Sequence, residues 1–280
     1  MRFALKTSPQ DTTYEAMLAV WREADGIDFY ESGWLFDHFY PIFSDPTGPC
    51  LEGWTTLAAL AQATTRLRIG VLVTGMVYRH PAVLAKMAAT VDVISGGRLE
   101  LGLGAGWNEE ECAAYGIDLP PLKERFDRFD EGVEAIVGLL SDTTTTFAGQ
   151  YVTLTEARCE PKPVQRPHPP IVIGGGGEKR TLRSVARFAQ HWNYAGGPTE
   201  EFARKLEVLA GHCADVGRDP SEIMTSTHLR LDPSGDVGTL VEQAEAYASV
   251  GLDLGIIYLP PSQQRPEVLA PIVDALSHLA

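Results

Sequence analysis

The chain has 280 residues, 44% of them hydrophobic, and a formal charge of −14 at pH 7. A field of that sign repels phosphodiester backbones and anionic lipid surfaces, so we expect neither nucleic acid nor a membrane as a partner. The four cysteines are scattered without a C-x-x-C pair, which favours reduced thiols over a disulfide framework or a zinc site. The sequence has no secretory signal and no apolar run near ~18 residues, which predicts a cytoplasmic protein.

Strand-like and helix-like segments alternate along the chain. The predicted strands are residues 2–5, 31–36, 67–73, 99–103, 171–173, 192–194, 223–227 and 254–258. The predicted helices are residues 14–25, 54–63, 82–94, 126–140, 179–190, 200–216, 238–249 and 267–279. Apolar runs without alternation are typical of a parallel sheet that is covered by helices on its faces. About eight such units predict an α/β fold, a (β/α)₈ TIM barrel formed by residues 1–280 as a single domain.

Residues 141–170 interrupt this alternation. They contain four consecutive threonines, Gly149 and five prolines. We interpret them as a hairpin and an extended excursion inserted into the barrel, and not as a linker between domains.

Polar and small residues end the second, third and fourth predicted strands. Asp37 and His38 follow the second strand, Val73, Thr74 and Gly75 close the third, and residues 104–107 close the fourth. The carboxyl ends of barrel strands form the mouth where active sites lie, and glycine there allows close approach of a flat ligand. The alternatives are a histidine that caps a nearby helix, an ordinary turn after Thr74, and a core role for Trp107.

A tetraglycine loop, residues 174–177, follows the fifth predicted strand and precedes a helix. Free backbone N–H groups and the helix dipole favour phosphate at such a loop. Lys179 and Arg180 stand in the first turn, where cations are otherwise disfavoured, which favours an anion between them. The alternative is a flexible turn with a solvated basic pair. Two other features have ordinary readings, with His80-Pro81 starting a helix and residues 109–111 forming a solvated acidic helix start.

Taken together, these segments resemble the luciferase-like flavin and deazaflavin oxidoreductases, a (β/α)₈ superfamily. The blocks that carry the resemblance are residues 37–39, 78–86, 92–99, 101–108 and 174–177. Residues 104–108 and 173–179 are most similar to the subgroup that uses the 5-deazaflavin coenzyme F420. The resemblance implies hydride transfer between F420 and a small organic substrate with an activated C=C, C=N or C=O. It also implies a homodimer.

At matching positions, the resemblance implies roles for individual residues. Asp37 and His38 would lie near the ring and act in catalysis, with His38 as the acid/base or ring-polarising group. Val73 and Thr74 would form a bulge under the ring, often with a non-prolyl cis peptide. The cofactor-binding residues would be Asp37, His38, Val73, Thr74, Gly75, Gly104, Ala105, Gly106, Trp107, Gly174, Gly175, Gly176, Gly177, Glu178, Lys179 and Asn193.

One position departs from the family pattern. In the family's sugar-phosphate dehydrogenase a glutamate follows the Gly-x-Gly, and here that position is Trp107. This difference argues against sugar-phosphate oxidation. The alternatives to an F420 enzyme are an FMN-dependent monooxygenase on the same barrel and a non-catalytic barrel that stores or senses the cofactor.

Overall fold

The computed structural model describes residues 1–42 and 44–280, in which eight parallel strands close into a barrel. The strands are β1 (Arg2–Thr7), β2 (Tyr30–Leu35), β3 (Arg68–Val71), β4 (Thr74–Gly75), β5 (Leu99–Gly104), β6 (Thr145–Ala148), β7 (Thr153–Ala157), β8 (Ile171–Gly174), β9 (His191–Tyr194), β10 (Met224–Arg230) and β11 (Leu254–Leu259). The order around the barrel is β1-β2-β3-β5-β8-β9-β10-β11, and β11 pairs with β1 to close it. The short β4 continues the line of β3 along β5.

Helices follow the strands in the pattern that the sequence predicts. They are α1 (Tyr14–Asp25), α2 (Gly53–Ala63), α3 (Pro81–Ser95), α4 (Glu109–Ala114), α5 (Leu122–Ser141), α6 (Thr181–Phe188), α7 (Thr199–Val216), α8 (Gly238–Ser249) and α9 (Leu269–Leu276). Parallel strands under crossover helices confirm the predicted TIM barrel. No helix in the described ranges is long and apolar enough to cross a membrane.

The predicted hairpin in residues 141–170 is present as antiparallel β6 and β7. Its turn is fixed by α5, because the Glu131 carboxylate accepts the backbone N–H groups of Gln150, Tyr151 and Val152. The start of α3 also follows the prediction. Pro81 is the first helical residue, and His80 accepts the N–H of Ala82.

The structure has two apolar cores, and they leave open space at only one end of the barrel. The larger core lies between strands and helices and buries Trp21, Trp54 and Trp192. A smaller core fills the inside of the barrel around Trp34. A Cβ added to Gly70 would lie 2.4 Å from the Trp34 ring, so this indole fills the space across β3. Because side chains fill the lower interior, a ligand can enter only at the mouth.

Candidate functional site

A cavity of about 480 Å³ opens at the carboxyl ends of the strands. It brings together residues from distant parts of the sequence that had been predicted to bind a cofactor. The ones that line it are His38, Val73, Gly75, Gly104, Ala105, Gly106, Trp107, Gly174, Gly175 and Asn193. Those that do not line it are Asp37, Thr74, Gly176, Gly177, Glu178 and Lys179. The mouth near Asp37 and the start of the tetraglycine loop therefore belong to one site.

His38 is held in place by a buried carboxylate from α4. Its Nδ1 lies 2.8 Å from Oε2 of Glu111, and the same carboxylate accepts the Phe39 N–H at 2.7 Å and the Tyr78 hydroxyl at 2.5 Å. A carboxylate on Nδ1 favours the tautomer that carries its proton there, so Nε2 is the nitrogen left for the cavity. The Trp107 ring packs edge-on against His38, with centroids 5.7 Å apart.

The prediction that residues 109–111 form a solvated helix start is wrong for Glu111, whose exposed fraction is 0%. Glu111 lies on α4, and its buried carboxylate accepts hydrogen bonds from three donors, His38, the Phe39 N–H and the Tyr78 hydroxyl. Burial raises the pKa of Glu111, but hydrogen bonds from His38, Tyr78 and the Phe39 N–H outweigh it and hold the pKa below its ordinary 4.5. Glu111 is therefore an anion at neutral pH.

We expect a pH-dependent difference in stability between the wild-type chain and Glu111→Gln. A depressed carboxyl pKa gives stability that is present above pH 4.5 and lost as the pH falls through the folded-state pKa. The wild-type chain should melt at a higher temperature than Glu111→Gln at pH 7. Thermal melts from pH 7 down to about pH 3 should show this difference unchanged above pH 4.5 and shrinking below it. A difference that stays constant below pH 4.5 would contradict the assignment.

Asp37 lies one residue from His38 but is turned away from the cavity. Its carboxylate accepts both terminal nitrogens of Arg79, with Nη1 to Oδ2 at 2.5 Å and Nη2 to Oδ1 at 3.0 Å. Arg79 also donates to Glu52 at 2.6 Å. Burial raises the pKa of Asp37, and the two Arg79 hydrogen bonds oppose that rise. Asp37 is thus placed to fix the loop that carries His38, and its predicted catalytic role stays a prediction.

The tetraglycine loop reaches the cavity with its first half only. Gly174 and Gly175 line the cavity, and Gly175 has a φ of +118°, which favours glycine. Lys205 of α7 donates to the carbonyl of Gly176 at 2.6 Å and pairs with Glu178 at 3.4 Å. No acceptor in the described part of the chain takes the backbone N–H groups of Gly176, Gly177 and Glu178. These donors are available to an anion.

The basic pair after the loop does not face the cavity. Lys179 is exposed, and Arg180 donates to Asp127 at 2.7 Å on α5, with Asp130 at 3.6 Å. The expectation that an anion sits between the two cations is therefore wrong for Arg180, because carboxylates of the neighbouring helix hold it. Two residues of α7 that the sequence did not point to bring positive charge beside the loop, Lys205 and Arg204. Both pair with the Glu178 carboxylate, at 3.4 Å and 2.6 Å.

Residues 2–253 match the model of the luciferase-like monooxygenase family. The chain belongs to this family. An uncharacterized protein of Mycobacterium tuberculosis is 34% identical over 142 residues, which cover 51% of this chain and 49% of that protein. The chain thus spans about half the length of the first such relatives.

Two further likenesses cover more of the luciferase-like chain. The F420-dependent glucose-6-phosphate dehydrogenase of Microbacterium testaceum is 29% identical over 255 residues, which cover 90% of this chain and 74% of that enzyme. A solved F420-dependent secondary alcohol dehydrogenase in complex with an F420-acetone adduct superimposes with a TM-score of 0.83. The two chains are 19% identical, and the superposition covers 100% of this chain and 98% of that enzyme. At this identity the likeness is one of fold.

In this luciferase-like barrel, glycines near the strand ends leave space for neighbouring protein atoms as well as for a ligand. A Cβ on Gly102 would lie 2.0 Å from the Val71 carbonyl oxygen, and one on Gly104 would lie 2.7 Å from Val73. The Val73 side chain also packs 3.0 Å from the Cβ position of Gly174. The peptide between Leu72 and Val73 is cis, as the family resemblance implied.

A buried chain of hydrogen bonds sets the orientation of Asn193. Burial raises the pKa of Glu100, but bonds from His191 and Arg68 outweigh it, so this carboxylate is an acceptor and His191 Nδ1 carries a proton toward it at 3.1 Å. His191 Nε2 then accepts the Ser226 hydroxyl at 2.6 Å, and Ser226 accepts from Asn193 Nδ2 at 3.0 Å. Because Nδ2 is taken by Ser226, the amide oxygen of Asn193 is left as an acceptor for a ligand in the cavity that this residue lines.

Three basic residues that line the luciferase-like site were missed from the sequence. They are Lys6 on β1 and His228 and Arg230 on β10. A lysine inside an otherwise apolar barrel strand is the one local signal that could have found them, because such a side chain is costly to bury without a purpose. His228 and Arg230 lie beyond the residues at which the predicted strand 223–227 ended.

Proposed function

We propose that this chain is an oxidoreductase that binds coenzyme F420 in the cavity and transfers a hydride between it and a small organic substrate. The observation that carries the proposal is that His38 and the first half of the tetraglycine loop, Gly174 and Gly175, line one cavity. The 29% identity to an F420-dependent dehydrogenase over 90% of this chain supports the choice of coenzyme. The substrate class inferred from the chemistry is an activated C=C, C=N or C=O.

The residues of the cavity and of the loop beside it fit the parts of such a coenzyme. The N–H groups of Gly176, Gly177 and Glu178, which precede α6, would hold its phosphate. Gly104, Trp107 and Asn193 would face its flat ring from the strand ends. When bound, the deazaflavin supplies a hydride-carrying ring carbon, C5, and the protein supplies position and protonation.

His38 is the group that would move the proton in this reaction. Glu111 holds its Nδ1, so Nε2 can give a proton to, or take one from, the substrate heteroatom. Leu72, Val73 and Phe36 line the same cavity and keep water from the reacting carbon. The carboxylate of Glu111 would stabilise the imidazolium when His38 is protonated.

An anaerobic single-turnover experiment tests hydride transfer directly. Reduced F420 that carries deuterium at C5 is mixed with the protein and 2-cyclohexenone or a cyclic imine, and the product is examined by NMR. We expect deuterium on the product carbon and the absorbance of the oxidised coenzyme. Oxidation of F420 without deuterium in any product, or no reaction with the whole set of enones and imines, would count against the proposal.

A monooxygenase that uses reduced FMN and oxygen is the second candidate, because the matched family is described as luciferase-like monooxygenase. Parallel titrations of the chain with F420 and with FMN separate the two. Tighter binding of FMN, with oxygen consumed on its reduction, would favour the monooxygenase.

We expect Gly175→Ala to weaken F420 binding. A φ of +118° is strained for alanine, so the loop and its N–H groups must shift. A rise of about tenfold in the dissociation constant corresponds to about 1.4 kcal/mol. Gly211→Ala is the matched control, since its Cβ meets nothing within 4 Å on α7. Equal affinities of the two variants would contradict a role for the loop.

A further inference from the structure

Lys6 of β1 is a buried lysine that the proposed reaction leaves unused. Side chains alternate along a strand, and Ala4, two residues earlier on β1, belongs to the smaller core that fills the inside of the barrel. Lys6 therefore faces the inside of the barrel as well, and it lines the cavity. The residue is only 7% exposed. Because an ammonium is costly to bury beside an apolar core, a lysine here points to a function.

Two acceptors on the cavity wall bind the Lys6 amine. Nζ donates to the Leu72 carbonyl oxygen at 3.2 Å and lies 3.3 Å from Nε2 of His228. Burial and the charge of Lys6 hold the pKa of His228 well below its ordinary 6.5, so the imidazole is neutral and Nε2 can accept from the amine. Among the described residues, no carboxylate lies within 4.0 Å of Nζ. The amine is thus held in place without a counter-ion.

The surroundings of Lys6 favour its neutral amine. Burial and the charge of Arg230 lower the pKa of Lys6 to about 7, so the neutral form is well populated at neutral pH. A neutral primary amine has two N–H bonds, one for each of the two acceptors, and one lone pair. Within the described chain Nζ has no further hydrogen-bond partner. The lone pair is therefore left for the cavity, which Lys6, Leu72 and His228 all line.

We propose that Lys6 forms a reversible imine with the carbonyl group of the substrate, which is an α,β-unsaturated aldehyde or ketone. A desolvated lysine with a free lone pair is a nucleophile toward carbonyl groups. The conjugated C=C is required, because a hydride added to the imine carbon itself would leave the substrate on Lys6 as a stable secondary amine. The inference rests on the proposed function for the hydride, but the imine can form without the coenzyme.

The steps balance as a conjugate reduction. The Nζ lone pair attacks the carbonyl carbon, and His228 moves one proton from the nitrogen to the oxygen. His38, which lines the same cavity, gives the second proton, the C–O bond breaks and water leaves an iminium. The iminium draws electrons from the C=C, so the β-carbon takes the hydride and an enamine forms. A proton adds at the α-carbon, and water then releases the saturated carbonyl compound and the amine of Lys6.

Trapping by reduction in the coenzyme-free protein tests the imine. The chain is incubated at pH 7 with 3-phenylpropanal and sodium cyanoborohydride, and the modified lysines are mapped by peptide mass spectrometry. This aldehyde has no conjugated C=C, so a lysine retains it through reduction of the imine. We expect Lys6 to be labelled at least tenfold more than Lys123, whose side chain is 86% exposed and pairs with Asp127.

Exchange of the carbonyl oxygen shows whether the imine forms with an enone. Imine formation and hydrolysis replace the oxygen of 2-cyclohexenone by one from oxygen-labelled water, and mass spectrometry of the recovered enone follows the exchange. We expect the wild-type chain to exchange it at least tenfold faster than Lys6→Met, and Lys123→Met to match the wild-type chain. Lys6→Arg keeps a charge but has no nucleophilic lone pair, and it replaces Lys6→Met if that variant does not fold.

Equal labelling of Lys6 and Lys123 would overturn the inference, and so would equal oxygen exchange by the wild-type chain and Lys6→Met. The deuterium experiment with reduced F420, run on the same samples, keeps the two proposals apart. Labelling of Lys6 without hydride transfer would leave the imine site in place and remove only the proposed function. Hydride transfer to the enone without labelling or exchange would remove the imine and leave the proposed function in place.

Discussion

Replacing His38 with alanine is expected to lower kcat by about 10²–10⁴-fold, the usual contribution of a general acid or base. The F420 dissociation constant should change by only a few-fold, because the N–H groups of the tetraglycine loop and not His38 hold the phosphate. Steady-state kinetics with the best enone or imine, together with a coenzyme titration, measure the two effects.

Cys50→Ala is the matched control for this change. The Cys50 thiol lies 3.5 Å from the His38 carbonyl oxygen, but the hydrogen bond on the His38 ring goes to Glu111 and not to Cys50. It should retain near-normal turnover. If His38→Ala also retains normal turnover while coenzyme binds, then His38 is not the proton donor. A chain that binds F420 tightly and turns over nothing, with or without His38, would instead be a binding barrel.

Replacing Arg79 with methionine is expected to destabilise the fold by about 3–5 kcal/mol, the usual cost of leaving a buried charge without its partner. Asp37 is 1% exposed and has both oxygens on Arg79. Without the guanidinium, burial raises the pKa of Asp37, and only the hydrogen bond with the Thr74 side chain still opposes that rise. The penalty therefore grows as the pH rises above the ordinary carboxyl pKa of 3.8. Urea unfolding at two pH values measures it.

The double variant Asp37→Asn, Arg79→Met supplies the control, because a neutral amide needs no counter-ion. It should recover a large part of the lost stability. Glu52, whose side chain is 38% exposed, can be solvated in both variants. A double variant that is less stable than Arg79→Met alone would contradict this account of the ion pair.

The barrel was predictable because each of its units carries its own signal. β5 and β11 are buried on both faces and are apolar almost throughout, so they read as covered parallel strands. The helix over Tyr14–Asp25 has the predicted bounds, and its start is capped by Thr13, which accepts the Ala16 N–H. Local pattern and fold agree in these elements.

The site was predictable only where residues stand at strand ends. His38 and the tetraglycine loop follow directly from that rule. The role of Glu111 could not be predicted in this way. Glu111 lies 73 residues from His38 in the sequence, and a run of three glutamates is ordinarily solvated. The meeting of Lys6 with His228 also depends on the register between β1, β11 and β10, which no local pattern specifies.

The central claim is that backbone amides of residues 176–178 bind a phosphate while the cavity beside them binds the attached ring. An equilibrium titration with F420 and with the same deazaflavin lacking its phosphate tests this most directly. We predict saturable binding of F420 that is at least tenfold tighter than binding of the phosphate-free ring system. Equal affinity for the two compounds, or no saturable binding of F420, would contradict it.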